Sequence, residues 1–112
     1  MNRPAAVAHE RRAHERLPAH IELRYGTNGE YILAETCDLS PQGIGILGPR
    51  LFPIGTVLDL RFRSPREGTG TMMFLKGTVC HAAQQHLGVR FLNVSTADQQ
   101  ELRDAVHTLA SP

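Results

Sequence analysis

The sequence predicts an all-β domain with one C-terminal helix. Three observations carry that prediction. Apolar and polar residues alternate with period two through most of residues 20–92, the signature of half-buried strands. Short, breaker-rich connections divide this stretch into six runs with no helical pattern between them, which argues for an antiparallel sheet curled into a barrel or sandwich and against parallel βαβ units. Only the last segment changes to a helical period.

Residues 1–18 show no periodicity and carry Pro4 and Pro18 among mixed charges, which reads as a flexible leader. In "HIELRY", Ile21, Leu23 and Tyr25 face one way and His20, Glu22 and Arg24 the other. "GTNG" is a hairpin turn, because Asn28-Gly29 tolerates positive φ. "EYILAETCDL" is a second strand, apolar on both faces over part of its length, and "GIGIL" (Gly43 to Leu47) a third. A turn through Gly48-Pro49 and Pro53-Ile54-Gly55 leads to "VLDLRFR", with Leu58, Leu60 and Phe62 on the buried face. "SPREGTG" is a breaker-rich hairpin loop. "TMMFLKGTVCH" and "LGVRFL" complete the six, with Met72-Met73-Phe74 and the Leu87, Val89, Phe91 face read as core. In "STADQQELRDAVHTL", Thr96 with Gln99 has capping-box spacing, and Leu102, Ala105, Val106 and Leu109 form one apolar stripe. The predicted helix packs on the barrel or on a partner.

A chain of 112 residues with 41% hydrophobic content suits one domain with one core. Its net charge of +1 argues against a broad nucleic-acid or membrane surface. Of its 12 cationic residues all but Lys76 are arginine, whose planar fork of donors suits phosphate and the guanine edge. Cys37 and Cys80 are too sparse for a disulfide scaffold or zinc ribbon. They read as reduced, partly buried thiols of a cytosolic protein. No segment approaches a membrane span, and "MNRPAAVAHERR" is too polar for a secretory signal.

Two short stretches carry candidate chemistry. "DLSPQG" (Asp38 to Gly43) suits a type I turn, with Ser40 first, Pro41 second and Gly43 fourth. It also suits a ligand. Asp38 and Ser40 lie two apart and share a face, and a carboxylate there accepts from the N1–H and N2–H₂ edge of guanine. Gly43, lacking Cβ, admits a ligand close to the backbone. "RRAHER" holds Arg11, then Arg12 and Arg16 four apart. Arginines in a polar leader are ordinarily solvated, but Glu10 and Glu15 make a mere cationic smear a poor explanation here. Two guanidiniums at fixed spacing suit a compact ligand with phosphate and base-edge acceptors, at about 1.5–3 kcal/mol per charge-assisted contact.

In this order, the two stretches resemble the PilZ domain, the bacterial receptor module for cyclic dimeric GMP. That family is marked by R-x-x-x-R ahead of the first barrel strand and [D/N]-x-S-x-x-G some twenty to thirty residues later; here they read Arg12-Ala-His-Glu-Arg16 and Asp38-Leu-Ser40-Pro-Gln-Gly43. The Glu10-Arg11 lead-in, "GIGI" and "LGVRF" agree as well. The resemblance implies a six-stranded antiparallel split β-barrel with a terminal helix. It divides the chain into a leader (1–9) and a domain (10–110), itself made of a ligand-binding arm (10–18), a barrel (19–93) and a helix (96–110). It further implies that Arg12 and Arg16 grip phosphates and guanine edges while Asp38, Ser40 and Gly43 line the barrel side. Arg11, just before R-x-x-x-R, is the position that sets whether one ligand or a stacked pair binds. The implied protein is a stand-alone cytoplasmic receptor whose arm orders on the ligand and relays the signal to a protein effector; the C-terminal helix offers a surface for a homodimer.

Other chemistry is weaker. Cys80, His81 and His86 resemble metal ligands, but adjacent strand residues point to opposite faces, so the sequence assigns no metal and no cofactor. Cys37-Asp38 has no evident histidine base, and no acid–base pair emerges, so no enzyme is expected. A small-barrel nucleic-acid binder is the alternative from another class, opposed by the near-zero charge and by few aromatics for stacking. A PilZ-like protein adaptor without ligand is a third reading, opposed by the full set of motif residues. The downstream pathway is not written in the sequence.

Overall fold

The computed structural model describes residues 17–65 and 70–110. Residues 1–16 of the predicted leader, with Arg11, Arg12 and Arg16, therefore lie outside the described residues, while its last two residues, Leu17 and Pro18, are strand because they pair with β3. The elements are β1 (Leu17–Pro18), β2 (Glu22–Thr27), β3 (Glu30–Ser40), β4 (Gly43–Leu47), β5 (Val57–Arg63), β6 (Met72–Ala83), β7 (His86–Leu92) and α1 (Thr96–Ala110). The sheet order is β1-β3-β2-β5-β6-β7-β4, and β4 also pairs with β3. All neighbours run antiparallel, so six strands close on themselves as a barrel, with β1 as an added two-residue edge. Closure removes the unpaired edges that an open sheet of this length would expose.

Local chemistry explains most of these elements. Asn28 (φ 55°) and Gly29 (φ 79°) both take the left-handed conformation, which gives the β2–β3 hairpin a turn whose twist matches its strands. Leu23, Tyr25, Leu58, Leu60, Phe62, Leu87 and Val89 alternate into the barrel and are essentially inaccessible to solvent. Phe62 and Phe91 stack inside at 6.4 Å between ring centroids. The buried Tyr25 hydroxyl donates to the Arg50 carbonyl at 2.6 Å and accepts from the Arg50 N–H at 3.1 Å. That pair of bonds pins the long β4–β5 connection, and Phe52 from the same connection packs edge-on against the Tyr25 ring.

Two expectations change. Of Met72-Met73-Phe74, only Met73 is core; Phe74 is 64% exposed, because a pleated strand turns consecutive side chains to opposite faces. The exposed Phe74 and Tyr31 rings are instead bridged by the Arg61 guanidinium, at 5.1 and 4.8 Å from their centroids, a favourable placement of a cation on aromatic faces. The helix is capped one residue earlier than expected: Ser95 Oγ accepts from the Asp98 N–H at 3.1 Å, and the Ser95 carbonyl accepts the first helical bond from Gln99 at 2.8 Å.

The apolar stripe behaves as predicted, with Leu102 and Ala105 fully buried and Val106 and Leu109 partly so. Helix α1 packs against β1 and β3. Neither cysteine forms a disulfide; Cys37 is half-buried as expected, whereas Cys80 is exposed. Among the described residues, no helix is long and apolar enough to cross a membrane.

Candidate functional site

The site begins at an irregularity in β3. Up to Thr36 the strand alternates regularly, with Ala34 and Thr36 buried and Glu35 exposed. Thr36 is tied to the incoming chain: its N–H donates to the Ile21 carbonyl at 2.8 Å, and its Oγ1 accepts from the Ile21 N–H at 3.0 Å. Between Thr36 and Asp38 the register with β4 shifts by one residue. This β-bulge at Cys37 inverts the parity of the rest of the strand. Leu39 becomes the core residue, fully buried, and Asp38, which strict alternation would aim inward with Ala34 and Thr36, stands on the outer face over its partner Gly45. A Cβ on Gly45 would lie 2.8 Å from Asp38 Oδ1, so the missing side chain is what makes room for the carboxylate.

The end of β3 is a closed turn. Ser40 pairs with Gly43, and its Oγ accepts from the N–H groups of Gly43 at 3.1 Å and Gln42 at 3.3 Å while donating to the Gly43 carbonyl at 3.4 Å. Ser40 is 3% exposed, so its hydroxyl organises the turn from within. Gly43 has a packing reason as well: a Cβ there would fall 2.5 Å from the Val89 carbonyl oxygen on β7. The Gln42 carbonyl accepts from the Phe91 N–H at 2.8 Å, which anchors the turn to the same strand. Asp38, Ser40 and Gly43 are thus brought together on one rigid corner.

The chain enters the barrel beside that corner. Leu17 pairs with Leu39 and Pro18 with Asp38, and the Ala19 N–H donates to the Cys37 carbonyl at 3.3 Å. The R-x-x-x-R motif ends in sequence one peptide bond before Leu17, and so one bond before the strand that pairs with the second motif.

Sequence reasoning did not place three contributors at this site. Gly45 pairs with Gly88, which makes a flat outer floor next to Asp38. Arg90 pairs with Gly43 and is exposed on that same face, adding a cation near the turn. His86 lies two positions from Gly88 at the other end of the floor. The signal was present as glycines at period two in "GIGI" and as "LGVR", but only the β4–β7 pairing sets these against each other. A groove of about 380 Å³ elsewhere, between β2 and β5 and lined by Arg24, Arg61 and Arg63, holds none of the predicted site residues.

Comparison with known proteins agrees with this architecture. The family model of the PilZ domain matches residues 10–107, and the chain belongs to that family. Among solved structures, the Bacillus subtilis inhibitor of motility (MotI/DgrA) superposes with a TM-score of 0.76 at 20% identity, over 88% of this chain and 51% of that one. The PilZ domain of YcgR from Escherichia coli, determined with c-di-GMP, gives 0.72 at 18% identity, over 88% of this chain and 91% of that one. The PilZ domain of CeSA from a cellulose-synthesizing bacterium gives 0.66 at 15% identity, over 87% and 99% respectively. This chain spans about half the length of the motility inhibitor. No curated protein matches.

Proposed function

We propose that this protein is a non-catalytic cytoplasmic receptor for cyclic dimeric GMP. Arg12 and Arg16 bind phosphates and guanine edges, and Asp38 accepts from the guanine N1–H and N2–H₂ donors. Ser40 and Gly43 hold the turn that presents Asp38, and Arg90 adds charge from β7. Binding fixes the Arg11–Arg16 arm across this corner, and the altered surface is offered to a protein effector. Ordering the arm costs entropy, offset by several charge-assisted bonds of about 1.5–3 kcal/mol each.

The observation that carries this reading is the register of β1. Pro18 lies opposite Asp38, and Arg16 precedes the paired strand by one peptide bond, which supports joining the two motifs in one site. The test is calorimetric titration of the full chain with cyclic dimeric GMP. Arg12→Ala and Arg16→Ala should each weaken binding at least about tenfold, the equivalent of roughly 1.4 kcal/mol; unchanged affinity in both variants would refute the proposal. Arg11 is assigned to a stacked ligand pair, so Arg11→Leu should lower the stoichiometry from two ligands per chain to one.

A further inference from the structure

The floor beside Asp38 sets two donors that the proposed nucleotide recognition does not use, Cys37 and His86, against the Asp38 carboxylate. A Cys37 sulfur, an Asp38 carboxylate oxygen and a His86 ring nitrogen all lie within 4.8 Å of one another, and all three residues are half-buried. Neighbouring residues on a regular strand point to opposite faces, which would split a Cys-Asp pair between core and surface. The bulge between Thr36 and Asp38 removes that separation, and Cys37 Sγ donates to Asp38 Oδ2 at 3.8 Å. His86 reaches the same place from β7, because the Leu47–His86 pair lies next along the outer face from Gly45–Gly88.

The two glycines keep the space open. A Cβ on Gly45 would meet Cys37 Sγ at 2.8 Å, and one on Gly88 would meet His81 Cβ at 3.1 Å. A second bulge, between Val79 and His81, interrupts β6 at the facing position. It leaves the His81 ring 5.5 Å from that of His86, centroid to centroid. A further imidazole therefore borders the cluster.

Thiolate, imidazole and carboxylate together suit a borderline-soft divalent ion such as zinc and are foreign to the all-oxygen shells of magnesium and calcium. Tetrahedral zinc, with bonds of about 2.3 Å to sulfur and about 2.0 Å to oxygen, sets its ligand atoms about 3.5 Å apart. The Cys37–Asp38 separation of 3.8 Å is already close to that. Three protein ligands leave a fourth position for water or for His81.

We infer that Cys37, Asp38 and His86 bind one zinc-class ion, and that this ion and the cyclic dinucleotide exclude each other because both claim Asp38. The exclusion rests on the function proposed above; the metal site does not. On coordination Cys37 releases its thiol proton to solvent, while carboxylate and neutral imidazole bind through existing lone pairs.

Cobalt(II) titration of the reduced full-length chain tests the site. The expected result is one equivalent bound, with the visible bands of a four-coordinate ion and a thiolate-to-cobalt charge-transfer band, both reversed by zinc. Cys37→Ser should abolish the charge-transfer band, and His86→Gln should weaken cobalt binding at least about tenfold; Cys80→Ser should change neither. Absence of the band in the wild type, or its survival in Cys37→Ser, overturns the metal site. Zinc just sufficient to saturate the wild type should then weaken cyclic dimeric GMP binding at least about tenfold there and clearly less in His86→Gln. Equal affinity with and without zinc overturns the exclusion. A wild type that binds no nucleotide even without zinc refutes the proposed function and the exclusion with it, while the cobalt spectrum still decides the metal site.

Discussion

Gly43 and Gly45 stand two positions apart on β4, and their missing side chains serve different ends. At Gly43 a Cβ would press on backbone, the Val89 carbonyl at 2.5 Å, whereas at Gly45 it would press on the movable ends of Asp38 and Cys37 at 2.8 Å. Gly43→Ala should therefore destabilise the fold, by roughly 1–3 kcal/mol as for other overpacked sites, read from urea denaturation. Gly45→Ala should leave the denaturation midpoint nearly unchanged and displace the Asp38 carboxylate, so the loss appears in nucleotide affinity. Asp38→Ala belongs with the second case: affinity falls at least about tenfold with the fold intact. Equal behaviour of the two glycine variants would contradict this division. The spacing Asp38-x-Ser40-x-x-Gly43 is legible in the sequence as both a turn and a site. The clash partner of Gly43 is not, since Val89 reaches it only through sheet pairing between distant segments.

Element boundaries show how far local patterns reach. Ser95 with Asp98, and Thr96 with Gln99, match the same capping template in adjacent frames, and the template cannot choose between them. The structure chooses Ser95, whose Oγ accepts from the Asp98 N–H. Ser95→Ala should cost about 1 kcal/mol, in the range for lost N-caps, while Thr96→Ala should shift stability by no more than about 0.5 kcal/mol. Thermal denaturation of the two variants measures the contrast, and a reversed order would refute the assignment. The same limit applies to Met72-Met73-Phe74. Composition marks the triplet as core, but the pleat admits only Met73, and Arg61 covers the Phe74 ring from outside. The bulges at Cys37 and Cys80 have no local signature, because each is defined by a mismatch with a partner strand.

At the scale of the molecule, closure of the barrel and docking of α1 both support β3. Pairing with β4 completes the ring, and the helix lies on β1 and β3, behind the strand that carries Asp38. Leu102, on that helix, is fully buried in the core cluster. Leu102→Ala should therefore cost about 2–5 kcal/mol of unfolding free energy, as for other buried leucines. A change under about 0.5 kcal/mol would mean that the stripe faces a partner and not the barrel. The helix buttresses the register that holds Pro18 opposite Asp38, so the same variant should weaken nucleotide binding as well.

The strands, the Asn28-Gly29 hairpin, the apolar stripe of α1 and the ordered pair of motifs are all legible from the residues alone. Each of these comes from short-range physics: the pleat, the permitted φ of a turn, the turn of a helix. Three features needed the folded chain: closure of the sheet through β3–β4, the bulge at Cys37 that turns Asp38 outward, and the floor that Gly45, Gly88, Arg90 and His86 form beside it. Those features depend on register between segments far apart in the chain. One residue of slip there exchanges inside for outside without changing any local pattern.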